Sequence, residues 1–85
     1  MPVIVVEVMP KAELLDPQGK AVAGALERTG RTGFGGVRVG KRFELHVDAP
    51  VDEAKLAEAR EIAESLLANL VIEDVVSVHE SAVEQ

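Results

Sequence analysis

The sequence predicts an α+β sandwich, with an antiparallel sheet of three or four strands carrying two helices on one face. Three observations carry that expectation. A β-branched run, Val3-Ile4-Val5-Val6, is followed by an aspartate-proline pair, Asp16-Pro17, of the kind that starts helices. A second helical stripe follows Pro50, and an alternating segment, Val37 to Asp48, separates the two helices.

Strand one spans Val3 to Met9. Ile4, Val6 and Val8 fill one face, and Val3, Val5 and Met9 leave the other apolar as well, apart from Glu7. An antiparallel sheet covered by helices on one side ordinarily turns a polar face to water. The outward face of this strand is therefore expected to meet another chain, and the protein to be at least a homodimer.

Helix one is expected from about Pro17 to Thr29. Asp16 is its N-cap, Pro17 takes the first helical position, where a missing N–H costs nothing, and Gly30 ends it. Val22, Ala25, Leu26 and Thr29 form the stripe expected to be buried. Gly24, unfavourable inside a helix by about 1 kcal/mol relative to alanine, suggests that another backbone approaches there. The glycine-rich stretch 30–36 lacks the strand-to-helix context and the Gly-Lys-Ser/Thr ending of a phosphate loop, so it reads as a flexible connector.

Between Val37 and Asp48 the residues alternate, with Val37, Val39, Phe43, Leu45 and Val47 on one face. Gly40-Lys41 resembles a two-residue hairpin turn, but that turn would put Phe43 on the face opposite Val39. One long bent strand, or a three-residue loop at Gly40-Lys41-Arg42, fits better. Helix two begins near Asp52 or Glu53 with the stripe Leu56, Ala59, Ala63, Leu66 and Leu70, thickened by Ile62 and Leu67. Acidic residues suit its positive end, and Asn69 is expected to close it in the left-handed conformation. The last strand runs from Val75 to about Val83, with Val76 and Val78 sharing a face. Right-handed crossovers then place both helices on one face of the sheet, the ferredoxin-like arrangement.

Eighty-five residues make one domain, 1–85, whose folding buries about 60 to 65% of the surface of the unfolded chain. Without cysteine there are no disulfides or thiolate metal sites, and two histidines far apart in sequence do not suggest a metal. No basic-then-apolar leader and no apolar run of about 18 residues is visible, so a cytoplasmic chain without a membrane span is expected. A net charge of −6 argues against nucleic acid, whose binders neutralise phosphates. Charge is nevertheless uneven. Arg28, Arg31, Arg38, Lys41 and Arg42 lie in a stretch without acids, and Arg38, Lys41 and Arg42 are expected to serve a partner surface or a bound phosphate, with no part in the fold.

No nucleophilic triad assembles from Ser65, Ser77, Ser81, His46 and His79. Ser65 lies mid-helix, Ser77 lies beside buried-type valines, and His46 falls on a polar face with Glu44 and Asp48. The residues alone describe a small binding or assembly module with no catalytic site of its own.

Three stretches, Leu15 to Val22 with its Asp-Pro-Gln-Gly, Val37 to Leu45, and Leu66 to Asp74 with its Asn-x-Val-Ile-Glu-Asp, together resemble the PurS family. That family is the small subunit of phosphoribosylformylglycinamidine (FGAM) synthase. Val75 departs from that family's pattern, in which an aromatic residue is common after Glu-Asp, and the glycine-rich 30–36 loop is a second departure. The resemblance implies a non-catalytic subunit of an ATP-dependent carbon–nitrogen ligase of purine biosynthesis, which uses glutamine as amide donor. It would bridge a glutaminase subunit and a synthetase subunit, assist ammonia transfer, and hold no cofactor, with ATP and magnesium bound in the synthetase subunit. The partner-binding residues implied by the motifs and the basic stretch are Asp16, Gln18, Arg38, Lys41, Arg42, Asn69, Glu73 and Asp74. The alternative reading is an ACT-like small-molecule-binding regulatory module, which shares the fold class.

Overall fold

The computed structural model describes residues 1–81. Its elements, in chain order, are β1 (Val3–Pro10), α1 (Pro17–Arg28), β2 (Lys41–His46), α2 (Glu53–Ile62), a π-helical turn (Ala63–Leu67) that continues α2, and β3 (Glu73–Glu80). The three strands form one antiparallel sheet in the order β2-β1-β3, so the expected α+β class and three-stranded sheet are found.

β1 is the central strand, which explains its unbroken apolar run. Val6 and Val8, with Ala63 below them, form the core, and Phe43, Leu45, Leu67, Ala68, Val75 and Val78 close around it. The opposite face does not behave as expected. Val3 and Val5 are only 3% and 2% exposed within the single chain. The register places His46 opposite Val3, and Glu44 and His79 opposite Val5. Cross-strand partners share a face, so polar and long side chains flank the two valines in a row that meets water. The apolar outward face of β1 is therefore no argument for a partner chain.

β3 begins two residues before the expected start and ends at Glu80; Val83 lies outside the described residues. Glu7 pairs with Ser77 but Val8 pairs with Val75, which leaves Val76 as the extra residue of a β-bulge. The bulge resets the alternation. Val75 and Val78 reach the core while Val76 is exposed, so Val76 and Val78 do not share an environment as expected. Gly40-Lys41 makes no hairpin. Residues 37–40 lead into β2, which begins at Lys41, so Lys41 and Arg42 lie in the strand and not in a loop, and the long strand expected from Val37 is shortened to Lys41–His46.

Asp52 caps α2, its Oδ1 accepting from the Lys55 N–H at 2.8 Å. The second half of this helix departs from the periodic expectation. In the π turn the Ala68 N–H donates to the Ala63 carbonyl, five residues back, at 2.9 Å. One extra residue in a turn rotates everything after it by about a quarter-turn. Leu67 and Ala68 then face the core, whereas Leu66 is 78% exposed and Leu70 is also exposed. Among the described residues no non-glycine has a positive φ, so Asn69 does not close the helix in the left-handed region. Ala68 leaves the helix in an extended conformation instead, and Asn69 builds the next turn.

α1 starts at its Asp16 cap and ends in a Schellman motif. Gly30, at φ 75°, lets its N–H reach the Glu27 carbonyl and the Arg31 N–H reach the Leu26 carbonyl, both at 3.0 Å. The expected buried stripe is not buried. Val22 is 44% exposed, Thr29 is exposed, Ala25 and Leu26 are half-buried, and Gly19 alone in α1 is fully covered. The close backbone approach expected at Gly24 occurs at Gly19, where an added Cβ would lie 2.2 Å from the Val37 carbonyl oxygen. At Gly24 such an atom would meet only the tip of Arg28.

Candidate functional site

An antiparallel β2-β1-β3 order puts the end of β1 beside the starts of both its neighbours. Val8 pairs with Lys41, and Pro10 with Glu73. The N-terminus of α1 packs at the same end, so segments far apart in sequence meet there. Leu15, Asp16, Gln18, Val39, Lys41 and Glu73 line a cleft of about 270 Å³.

Asp16 does two things in this cleft. Its Oδ1 accepts the Gly19 N–H at 2.9 Å, the capping bond. Its Oδ2 accepts the Val39 N–H, also at 2.9 Å, and the Arg38 Nε lies 3.8 Å away. Arg38 also donates to the Pro10 carbonyl. The Val39 N–H is the main reason that the carboxyl titrates below its ordinary range, followed by the Gly19 N–H and, more weakly, Arg38. One carboxylate thus ties the first turn of α1 to the 37–40 segment. Asp16→Ala is expected to lower the thermal midpoint of the isolated chain more than Asp52→Ala, which removes a cap alone. Paired thermal melts measure the difference, and equal losses would mean that the Val39 bond contributes nothing.

Glu73 is the buried carboxylate of the site, 9% exposed. Its Oε1 accepts the Asn69 N–H at 2.8 Å, and its Oε2 lies 3.0 Å from the Lys41 ammonium. Both hold it ionised below the usual carboxylate range, the Asn69 N–H foremost. Asn69 is the hub of the turn. Its Oδ1 accepts from the Val71 N–H, and its carbonyl accepts from the N–H groups of Ile72 and Glu73. Asp74, next along, pairs with the Lys11 ammonium at 2.7 Å and raises the pKa of that lysine.

Asp16, Gln18, Lys41 and Glu73 share the cleft and Arg38 borders it through Asp16, whereas Asn69 and Asp74 lie outside its lining, Asn69 bonded to Glu73 through its N–H and Asp74 paired with Lys11. Arg42 is elsewhere, on the opposite face of the sheet, paired with Glu44 and facing Glu7 across the strands. Lys41 departs from its expected role. As counter-ion of a buried carboxylate it belongs to the fold. Gln18 is exposed, and among the described residues its amide has no hydrogen-bond partner. Sequence reasoning missed Leu15 and Val39, and also the exposed run Leu70-Val71-Ile72, in which Val71 is 80% exposed. The adjacency of Leu15 to the cap was a usable signal; the run had none, because Leu70 continued the helical stripe.

Among the described residues, one further polar cluster involves Ser77, Glu7 and His79. Ser77 donates to Glu7 Oε1 at 2.7 Å, with His79 Nδ1 3.5 Å from the hydroxyl. The hydroxyl donates its hydrogen bond to the carboxylate, and among the described residues no carboxylate is bonded to the His79 ring to orient it as a base, so the three do not make the serine–base–orienter relay of an activated nucleophile. Among the described residues no group of three or more histidine and carboxylate side chains is placed to hold a metal ion, and no helix is long and apolar enough to cross a membrane.

Residues 3–80 match the family model for PurS, phosphoribosylformylglycinamidine (FGAM) synthase. The FGAM synthase subunit PurS of Mycobacterium leprae is 61% identical over 77 residues, 91% of this chain and 94% of that protein. The Bacillus subtilis PurS subunit is 41% identical over 64 residues, 75% of each chain. In structure, the Methanocaldococcus jannaschii PurS, a subunit of formylglycinamide ribonucleotide amidotransferase in the purine biosynthetic pathway, superposes with a TM-score of 0.82 at 26% identity, over 99% of this chain and 100% of that one. A chain from the PurLQS structure of Thermotoga maritima superposes with a TM-score of 0.81 at 25% identity, covering 94% and 96%.

Proposed function

Because this chain belongs to the PurS family of FGAM synthase subunits, we propose that it works as the small, non-catalytic subunit that joins a glutaminase subunit to an ATP-dependent synthetase subunit in purine biosynthesis, and assists the transfer of ammonia between them. The observation that supports this most is its likeness, over nearly its whole length, to a chain of the three-component Thermotoga maritima assembly. The sheet-end cleft suits a contact surface. Its charges are already paired with one another, so it offers a rigid, largely neutralised rim in which Gln18 and Leu15 are the groups open to a partner. ATP and magnesium belong to the synthetase partner in this reading, and the chain also associates with itself.

The test is to titrate the glutamine-dependent activity of the two large subunits with this chain. Activity is expected to saturate near stoichiometric addition of the unmodified protein. Gln18→Ala is expected to leave the thermal midpoint within about 1 °C, since an exposed unbonded amide contributes little to the fold, and to raise the midpoint of the titration several-fold. An unshifted titration removes the cleft from the interface. Failure of the unmodified chain to co-purify with either large subunit removes the subunit reading.

Arg42 is tested in the same titration. Its exposed pair with Glu44 contributes roughly 0 to 1 kcal/mol, so Arg42→Gln leaves stability nearly unchanged. If it contacts an acidic partner surface, its effect on assembly shrinks when salt is raised, because exposed charges act over only about 8 to 10 Å at ordinary ionic strength. Equal titrations for both proteins at low and high salt assign Arg42 to solubility.

A further inference from the structure

We infer that the end of α2 has two helical registers, and that the 69–73 turn, locked by Glu73 at the rim of the sheet-end cleft, selects the one that keeps Leu66 and Leu70 on the surface. The inference stands on the fold and does not depend on the subunit reading. Ala59 and Ala63 are buried and Leu56 and Ile62 are half-buried beside them, so the first half of the helix keeps its α-helical stripe. Leu66 and Leu70 follow seven and eleven residues after Ala59, the spacings that continue the same face at 3.6 residues per turn. An α-helix unbroken to residue 70 would therefore lay both leucines on the sheet. The π turn at Ala63–Leu67 holds one residue too many for that, and it brings Leu67 and Ala68 inward in their place.

Apolar burial does not favour the register that is adopted. Leu66 with Leu70 is a larger pair to cover than Leu67 with Ala68, yet Leu66 is 78% exposed and Leu70 lies beside the equally exposed Val71 and Ile72. π turns are rare inside helices and concentrate at functional sites. What holds this one is the turn that follows it. Ala68 leaves the helix in an extended conformation, and the Asn69 carbonyl then accepts the N–H groups of Ile72 and Glu73, at 2.9 and 2.7 Å. Asn69 Oδ1 accepts the Val71 N–H at 3.1 Å, and the Asn69 N–H is taken by Glu73 Oε1 at 2.8 Å. A helix that continued through Asn69 to Leu70 would break this set.

The lock reaches the cleft through one ammonium. Glu73 Oε2 meets Lys41 Nζ at 3.0 Å, and the Lys41 side chain is more than half exposed where it lines the cleft. An acidic group docked there competes with Glu73 for Lys41 and loosens the turn. The cleft and the exposed leucines are thus two separate sites joined by one two-state element, which is what coupling between sites requires.

The absence of cysteine allows the register to be read directly. Leu66→Cys and Leu67→Cys are made singly in the full chain, and the alkylation rate of each thiol is measured, with folding checked by circular dichroism. With the native turn, the thiol at 66 is expected to react at least tenfold faster than the thiol at 67. Asn69→Ala removes the acceptor of the Val71 N–H and places a better helix former at 69. It is expected to move the two rates in opposite senses, slower at 66 and faster at 67, by threefold or more. Lys41→Ala is expected to act in the same sense by at least twofold. Faster reaction at both positions describes local unfolding and overturns the two registers, as do rates that Asn69→Ala leaves unchanged. Rates that Lys41→Ala leaves unchanged overturn the link to the cleft. Deletion of Glu64, an exposed residue inside the π turn, is the second test. It removes the surplus residue, so that the Ala68 N–H bonds the Ala63 carbonyl at ordinary α-helical spacing while Leu67 and Ala68 stay inward. The shortened chain is expected to melt no lower than its parent and to lose the response to Asn69→Ala. A thermal midpoint lower by more than about 5 °C, or a response that persists, overturns the proposal.

Discussion

Glu73→Ala is expected to lower the thermal midpoint of the isolated chain by roughly 5 to 20 °C. The substitution leaves the Asn69 N–H without its acceptor and the Lys41 ammonium without its counter-ion, at a position where little water can take their place. An unmet buried partner costs about 1 to 3 kcal/mol, and each kcal/mol moves the midpoint of a domain this size by about 4 to 8 °C. The damage should spread to the 69–73 turn, because the same carboxylate anchors the residue that organises it. Scanning calorimetry is the measurement, and a shift below about 1 °C would mean that the turn stands without Glu73. Acid should act in the same direction. Glu73 and Asp16 both have lowered pKa values in the folded chain, so between the folded and unfolded values the unfolded state binds more protons. Their contribution is complete above about pH 4 to 4.5, the unfolded range, and is lost as pH falls through the lower folded values. Glu73→Gln should flatten that acid limb.

Gly19→Ala is the second large effect, and Gly24→Ala is its control. Both lie in α1, where alanine in place of glycine stabilises an ordinary helix by up to about 1 kcal/mol. At Gly24 the new methyl group meets only the movable guanidinium of Arg28, at 3.3 Å, so a small gain is expected. At Gly19 it would lie 2.2 Å from the Val37 carbonyl oxygen and 2.8 Å from Asp16 Oδ2. Neither the backbone nor the capping carboxylate can move without breaking the Val39 bond, so overpacking of roughly 1 to 3 kcal/mol outweighs the helical gain. Hydrogen exchange should then be faster across 17–28 and unchanged in the central strand β1. Similar protection in both variants would mean that α1 is not held against the 37–40 segment.

These two glycines show where reading the chain succeeded and where it stopped. Helix one, its Asp16 cap, its Pro17 start and its Gly30 stop were all legible, because each depends on a side chain and backbone groups within one or two turns of it. The start of α2 near Asp52 or Glu53 was legible for the same reason, whereas the apolar run of β1 suggested a face that meets another chain, and only the strand order showed that β1 is central. The convergence of Asp16, Lys41 and Glu73 at one end of the sheet was legible only as separate motifs, since their meeting depends on strand order.

Tertiary structure decided the rest, for reasons that no local pattern carries. Gly24 looked like the point of close approach because it interrupts a helix, yet the approaching backbone came to Gly19, as dictated by the path of residues 37–40. A hydrophobic stripe assumes a constant 3.6-residue turn, so one π turn was enough to send Leu66 and Leu70 into water and Leu67 inward. A period of two assumes an unbroken ladder, and the bulge at Val76 reset it. The spacing of Val22, Ala25 and Leu26 determined that α1 has an apolar face. What that face meets was set by where Asp16 and Gly19 pin the helix, at the end of the sheet where β2 begins.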